Sequence, residues 1–168
     1  MKKSLLFLFL LVLGVTQGWA QVYETLPTGS ATLKENAVYR VESTTKINGT
    51  LSVPLGKTVT IYIAKGKNLT IRGAKGSNRT TPGKPAIEVP SETTNNVTVN
   101  STLIITGGGT LRVYGGNAYA YATTAGGSGA APAIGGIGGN GGSDRKDGSD
   151  GAAMGNVYIR GNVTVRVA

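Results

Sequence analysis

The chain has 168 residues, with 17 Lys and Arg against 8 Asp and Glu, and it contains no histidine and no cysteine. These absences exclude disulfides, histidine general bases, Cys–His dyads and ordinary zinc sites. The stability of the fold must therefore come from regular backbone pairing and packing.

The N-terminal segment has the pattern of a secretory signal peptide. Two lysines precede the apolar run of residues 5–13, and small residues flank the tryptophan before the cleavage position after Ala20. The apolar run is short for a membrane span. We therefore expect residues 1–20 to be removed. Residues 21–168 are then expected to form one secreted, periplasmic or outer-surface domain without a membrane span.

Basic residues are concentrated in the first half of the remaining chain. Without the leader, 15 Lys and Arg stand against 8 acids, a net charge of +7. Eight basic residues and no acid lie between Glu42 and Glu88. Such an excess favours polyanionic partners through its field and through counterion release. A basic surface that is simply solvated is the alternative.

Short alternating runs rich in Val, Ile and Thr follow one another along the chain and predict strands. No amphipathic helix is indicated after residue 20. In chain order the predicted strands are VYRVE from Val38, TLSV from Thr50, TVTIYIA from Thr58, LTIRG from Leu69, AIEV from Ala86, NVTV from Asn96, TLIITG from Thr102, TLRVYGG from Thr110, NVYIRG from Asn156 and NVTVRV from Asn162.

The predicted strands resemble one another, which indicates a repeat architecture. LTIRG, LIITG, LRVYGG, VYIRG and VTVRV share an alternation of apolar and variable residues that often closes in glycine. Asn48-Gly49 is the one hairpin-type Asn-Gly dipeptide of the first half. The sequence therefore predicts an all-β, right-handed parallel β-helix with glycine-rich corner loops. An antiparallel sandwich is the alternative.

Strand parity assigns the side chains to two faces, because alternate residues of a strand point in opposite directions. The outward face is made of Thr, Arg and Tyr, and stacked repeats would align these residues in ladders. The residues expected to point inward are Val59, Ile61, Ile63, Leu69, Ile71, Ile87, Val89, Val97, Val99, Leu103, Ile105, Leu111, Val113, Val157, Ile159, Val163 and Val165.

The outward Arg, Tyr and Lys side chains are the candidate ligand-binding residues. Arginine pairs bidentately with carboxylates or sulfates, and tyrosine rings pack on sugar faces. The structural alternative is that Arg and Tyr pack on one another while charges protect the strand edges. The candidates are Arg72, Arg112, Tyr114, Tyr158, Arg160 and Arg166, with Lys65, Lys67, Lys75, Arg79, Lys84, Tyr119 and Tyr121 enlarging the patch.

The glycine-rich stretch of residues 133–151 contains all three aspartates of the chain. Its formal G-x-G-x-x-G is not followed by a predicted helix or by a suitable ribose-binding acid, which argues against a dinucleotide site. Asp144, Asp147 and Asp150 recur every third residue among Gly and Ser, and are candidate calcium ligands. A solvated turn is the alternative. No other cofactor is expected.

Several of these segments resemble a known family. VYRVESTTKINGTLSVPLGKTVTIYIAKGKNLTIRG, AIEV…TLIITGGGTLRVYGG, APAIGGIGG and GNVYIRGNVTVRV resemble the repeats of secreted bacterial glycine-rich β-helix proteins described as carbohydrate-binding domain-containing proteins. The resemblance covers most of residues 37–167. It implies a β-helix at the cell surface or outside the cell. It also implies carbohydrate binding, which in some relatives involves acidic polysaccharide and calcium.

Together these observations predict a non-catalytic module that binds an acidic polysaccharide or cell-surface glycan rather than nucleic acid. A structural or adhesive surface solenoid is the alternative class. A polysaccharide lyase is a third, but Glu88 and Glu92 are the only acids between Glu42 and Asp144.

The last predicted strand is uncapped. This feature predicts edge-strand self-association. The family pattern continues to another glycine corner after such a strand, so the domain is expected to be incomplete at its C-terminal end.

Overall fold

The computed structural model describes residues 22–78, 80–118, 128–140 and 149–168. Within these ranges every regular element is a β-strand, which confirms the predicted all-β class, and no helix there could cross a membrane. The strands are β1 (Tyr23–Glu24), β2 (Ala31–Thr32), β3 (Val38–Val41), β4 (Thr45–Asn48), β5 (Leu51–Ser52), β6 (Thr58–Ile63), β7 (Asn68–Arg72), β8 (Ile87–Glu88), β9 (Ser91–Thr94), β10 (Val97–Asn100), β11 (Thr102–Gly107), β12 (Thr110–Tyr114), β13 (Ile134–Gly135), β14 (Asn156–Ile159) and β15 (Thr164–Val167).

Most of the strands belong to three parallel sheets. Sheet I has the order β1-β3-β6-β11-β14, sheet II has the order β4-β7-β12-β15, and sheet III has the order β2-β5-β8-β13. Among the described strands, from β3 onward the chain passes from sheet I to sheet II to sheet III and back to sheet I, interrupted only by β9 and β10. Each strand therefore lies beside the strand of the previous round, which accounts for the self-similarity of the sequence.

The strand registers align apolar side chains into buried rows. In sheet I, Ile61 pairs with Ile105, and in sheet II, Leu69 pairs with Leu111. All four side chains are completely buried. Burial of a Leu or Ile side chain contributes about 1.5–3 kcal/mol. These rows therefore form the core, and their inward orientation confirms the assignment made from strand parity.

The inward side chains of β14 and β15 continue these rows but are not fully covered. Ile159 pairs with Ile105, and Val167 pairs with the buried Val113. Nevertheless, Ile159 is 56% exposed and Val167 is 65% exposed. The reason is that, within the described part of the chain, β14 and β15 are each paired on one side only.

The strands β9 and β10 form an antiparallel hairpin that lies outside the three sheets. Its turn residues, Asn95 and Asn96, have φ values of 51° and 64°. Positive φ at both central residues is characteristic of a type I′ hairpin turn, and Asn tolerates it. The inward assignment of Val97 and Val99 is therefore wrong. Both belong to the hairpin and are exposed.

Candidate anion-binding site

The outer face of sheet II carries a row of basic side chains. Strand pairing places Lys46 beside Thr70, Thr70 beside Arg112, and Arg112 beside Arg166. The three basic side chains are exposed. Neighbouring strands are about 4.8 Å apart, so this row extends about 14 Å across four strands. We call Lys46, Thr70, Arg112 and Arg166 the basic row.

A second row on the same face places an aromatic ring beside another arginine. Tyr114 pairs with Arg72, and the guanidinium carbon of Arg72 lies 4.2 Å from the centre of the Tyr114 ring. At this distance the ring attracts the cation and holds the guanidinium in place. With Lys75 and Asn117, these residues line a cleft of about 260 Å³, which we call the Arg72 cleft.

The basic side chains of sheet II have no acidic partner among the described residues. The ion pairs among the described residues join Lys34 to Glu24 at 2.7 Å, Arg40 to Glu42 at 3.0 Å and Lys57 to Glu35 at 2.8 Å. None of these residues belongs to sheet II or to the Arg72 cleft. The positive charge of this face is therefore available to an anionic ligand.

The paired ions on the first repeats behave as a conventional surface network. The hydrogen bond with Glu24 and its charge raise the pKa of Lys34. The hydrogen bond from Lys57 and its charge lower the pKa of Glu35. All four groups are on the surface, where such pairs contribute little to stability. Their main consequence is that the acids of this region are already neutralised by neighbouring cations.

Known proteins give no guide to the chemistry of this face. No protein-family model, curated protein or solved structure matches the chain. A function for the site must therefore be inferred from the placement of its own residues.

The structure separates the sequence candidates into several locations. Arg72, Arg112, Tyr114 and Arg166 lie on sheet II, and Lys75 lines the cleft beside them. Tyr158 is on β14 of sheet I, and Arg160 directly follows that strand. The guanidinium carbon of Arg160 lies 5.6 Å from the centre of the Tyr158 ring. The predicted Arg/Tyr face is thus two faces on different sheets.

The remaining lysine candidates lie at corners of the fold. Lys65 and Lys67 are in the turn that joins β6 of sheet I to β7 of sheet II. They therefore border the basic face without belonging to its rows. The backbone of Lys84 adjoins Gly73 of the Arg72 cleft, and Lys84 also lines clefts near sheet III. The candidates Arg79, Tyr119 and Tyr121 are outside the described residues.

Lys84 lies between two clefts near sheet III. One, of about 230 Å³, is also lined by Glu88, whose carboxylate accepts a hydrogen bond of 2.6 Å from Ser52. The other, of about 460 Å³, is also lined by Asp150 and Asn140. These clefts combine a cation with acids and amides, so they lack the uniform positive charge of sheet II.

The calcium hypothesis concerns residues that are mostly outside the described ranges. Asp144 and Asp147 are not described, whereas Asp150 is exposed and lines the larger cleft near Lys84. Within the described ranges, no cluster of three or more Asp, Glu, His or Cys residues could hold a metal ion. The three-aspartate site therefore stays a prediction.

Besides Thr70, which was expected only to face outward, two contributors to the basic face were absent from the sequence candidates. Lys46 lies on β4, whose sequence TKIN has a single apolar residue, Ile47. One apolar position is too short a pattern to indicate a strand by alternation. Asn117 follows the glycine pair after β12, where no strand parity applies. Both residues become recognisable only when neighbouring strands are paired.

Proposed function

We propose that this chain is an exported, non-catalytic module that binds an anionic polysaccharide on the outer face of sheet II. The observation that carries the proposal is the basic row, in which Arg112 and Arg166 are direct neighbours with no acidic partner among the described residues. Two adjacent, unneutralised guanidinium groups repel each other unless an anion lies between them. An acidic polymer would supply such anions at regular intervals.

We further propose that the fold is a right-handed parallel β-helix. The proposal is supported by the cyclic order in which the chain visits sheets I, II and III, and by the fully parallel pairing within each sheet. Parallel strands joined by crossovers are right-handed in nearly all proteins. Export is supported by the leader-like sequence of residues 1–20.

The spacing of the charges favours a polymer over a single acidic sugar. An exposed ion pair contributes only about 0–1 kcal/mol, so one sugar carboxylate would bind poorly. A chain with repeated carboxylates or sulfates can engage Lys46, Arg112 and Arg166 together, and each further contact becomes intramolecular. We therefore expect affinity to rise steeply with the length of the oligosaccharide.

The Arg72 cleft is suited to one sugar unit of that polymer. Arg72 and Lys75 can bind a carboxylate or sulfate, and Asn117 can exchange hydrogen bonds with hydroxyl groups. The ring of Tyr114 offers an apolar surface, part of which is covered by Arg72. The cleft would therefore hold one sugar ring, while the basic row binds the carboxylates or sulfates of the neighbouring sugar units.

The test is binding of polygalacturonate and dextran sulfate, measured by calorimetry at low and physiological salt, with calcium and with a chelator. We expect binding at low salt that weakens as salt rises, because exposed charges are screened. The double variant Arg112→Ala/Arg166→Ala should lose roughly five- to thirtyfold in affinity, since two exposed charged contacts of about 0.5–1 kcal/mol each are removed.

The matched control is Lys34→Gln/Lys57→Gln, which removes the same charge from residues that are paired with Glu24 and Glu35. This control should bind nearly as well as the unaltered chain. Equal losses in both double variants would show that only net charge matters. Failure to bind either polymer at low salt would refute the proposal.

A structural or adhesive role is the second candidate. It is favoured by the exposed apolar side chains of Leu55, Val97 and Val99, which offer a surface for protein contacts rather than for sugars. That role predicts self-association without a glycan. Measurements of glycan binding and of self-association therefore distinguish the two candidates.

A further inference from the structure

The outer face of sheet III carries a polar row that differs from the basic row of sheet II. Thr32 pairs with Ser52, and Ser52 pairs with Glu88. The preceding residues on the last two of these strands, Leu51 and Ile87, are completely buried. Because alternate residues of a strand point in opposite directions, Thr32, Ser52 and Glu88 point outward. This row therefore presents two hydroxyl groups and a carboxylate.

The carboxylate of Glu88 is held in place by a hydroxyl group and not by a cation. Ser52 donates a hydrogen bond of 2.6 Å to Oε2 of Glu88, and both residues are half-buried. A bond of this length to a carboxylate is charge-assisted and fixes its orientation. No ion pair joins Glu88 to a lysine or arginine in the part of the chain that the structure describes. A carboxylate has about four acceptor positions, so Glu88 keeps the capacity to bind a ligand.

Lys84 lines the same cleft as Glu88, which has a volume of about 230 Å³ and which we call the sheet III cleft. The backbone N–H of Lys84 donates to the carbonyl oxygen of Ala74 at 2.8 Å, and the carbonyl oxygen of Lys84 accepts from Gly116 at 3.0 Å. The lysine therefore starts from a fixed backbone. None of the ion pairs among the described residues includes Lys84. The sheet III cleft thus contains a cation and an anion that do not neutralise each other.

Two further hydroxyl groups line the sheet III cleft, and one of them can donate to a ligand. The hydroxyl of Thr50 is buried and donates to the carbonyl oxygen of Pro85 at 2.7 Å. The hydroxyl oxygen of Ser30 accepts a hydrogen bond of 3.0 Å from the backbone N–H of Thr50. This bond positions Ser30 but leaves its own hydroxyl proton for another acceptor. The cleft therefore combines an anion, a cation and a hydroxyl donor.

We propose that the sheet III cleft binds a small zwitterion of the α-amino acid class, with its ammonium group on Glu88 and its carboxylate on Lys84 and Ser30. A simple anion would be repelled by Glu88, and a simple cation would be repelled by Lys84. An uncharged ligand would displace water from both charged groups without supplying a counter-charge. An α-amino acid supplies both counter-charges within one compact molecule, as a cleft of about 230 Å³ requires.

The proposed amino acid site is independent of the proposed glycan binding. It lies on a different sheet and takes a ligand without net charge, whereas the basic row takes a polyanion. Glu88 would repel an acidic polymer, so the substitution Glu88→Gln should not weaken the binding of polygalacturonate. Either proposal can therefore fail while the other holds.

The first test is a titration of the isotope-labelled chain with L-alanine, followed by the NMR shifts of its backbone amides. We expect saturable shifts at Thr32, Ser52 and Glu88, with a Kd on the order of 1–10 mM, because surface charge contacts are individually weak. Propionate and ethylamine each lack one charged group of alanine, and should bind at least about fivefold more weakly. The absence of saturable shifts at these amides with L-alanine, or equal binding of glycerol, would overturn the inference.

The second test assigns the role of each charge through two substitutions that preserve side-chain size. Glu88→Gln retains an oxygen that can accept the hydrogen bond from Ser52. It should weaken L-alanine binding at least about fivefold and shift the preference between the singly charged ligands towards propionate. Lys84→Met should also weaken L-alanine binding, but shift the preference towards ethylamine. A purely structural disturbance would not produce these opposite shifts, so equal losses of propionate and ethylamine in either variant would refute the proposal.

The matched controls are Glu92→Gln and Lys65→Met, which remove the same charges from exposed residues outside the sheet III cleft. Neither residue belongs to an ion pair within the described ranges. Both controls should bind L-alanine as tightly as the unaltered chain. Losses equal to those of Glu88→Gln and Lys84→Met would show that only net charge matters, and the inference would be wrong. Circular dichroism checks that all four variants are folded.

Discussion

The guanidinium of Arg72 lies 4.2 Å from the centre of the Tyr114 ring, on the neighbouring strand of sheet II. Arg72 is exposed, whereas Tyr114 is half-buried. The Tyr114 ring is therefore held more rigidly by its surroundings, and its contact with the guanidinium restricts the motion of the Arg72 side chain. A guanidinium held in one place loses less entropy when it binds an anion. The contact thus links the strand register to the proposed binding of a polysaccharide.

Replacement of Tyr114 by leucine tests this link. An exposed cation–π contact contributes about 0.5–1 kcal/mol, so Tyr114→Leu should weaken polygalacturonate binding by roughly two- to fivefold. Calorimetry at low salt measures the change. The control is Tyr62→Leu, because Tyr62 is also half-buried and lies 5.5 Å from an arginine, Arg40, but belongs to sheet I. Equal effects of both substitutions would contradict a specific role for Tyr114.

The interior of the fold follows from the sequence because a period of two residues is a local property of a strand. The alternation TLIITG predicts Leu103 and Ile105 inside, and both are completely buried. The same argument fails for NVTV because a hairpin strand has the same alternation. The distinguishing signal is the Asn95-Asn96 pair before it, since asparagine tolerates the positive φ values of a tight turn.

The composition of the candidate site is less predictable than the core, because it depends on which sheet each strand joins. Arg72 and Arg160 occupy the same place in the similar repeats LTIRG and VYIRG, but Arg72 lies on a strand of sheet II and Arg160 lies beside a strand of sheet I. The assignment depends on the corners between strands and on pairing with residues more than forty positions away in sequence, such as Leu69 with Leu111. No local pattern contains that information.

Two isoleucines in one row provide a test of the difference between the core and the edge strand β14. Ile105 is completely buried and pairs with Ile159, which is 56% exposed. We expect Ile105→Ala to lower the free energy of unfolding by about 2–5 kcal/mol, because a cavity forms among packed side chains. Ile159→Ala should cost less than about 1.5 kcal/mol, since much of its side chain is already in water. Urea denaturation at low protein concentration measures both values. Similar losses would mean that Ile159 is buried in solution.

Gly107 at the end of β11 allows a close approach between two strands. Its φ is 115°, and a Cβ at this position would collide with the backbone carbonyl oxygen of Ile63 on β6. Gly107→Ala should therefore destabilise the fold by more than about 3 kcal/mol, because backbone strain is added to a clash with a rigid group. The control is Gly66→Ala, where φ is 75° but no atom lies within 4 Å of the added carbon. It should cost only about 1–2 kcal/mol, the cost of the backbone conformation itself. Thermal unfolding of the two variants gives the comparison, and equal losses would exclude the clash as the main cause.

The pH dependence of glycan binding should reflect the ligand and not the protein. Histidine is the side chain whose ordinary pKa lies between pH 5 and pH 8, and the chain contains none. We therefore expect the affinity for dextran sulfate to be nearly constant from about pH 5 to about pH 8, because sulfate groups stay ionised. Polygalacturonate should lose affinity as the pH falls through about 3.5, where its carboxylates become protonated. Calorimetry with both polymers at a fixed ionic strength measures the profiles, and circular dichroism identifies any acid unfolding. A loss of dextran sulfate binding between pH 5 and pH 8 would require a titrating group in the site, and would therefore contradict a site built from the basic row and the Arg72 cleft.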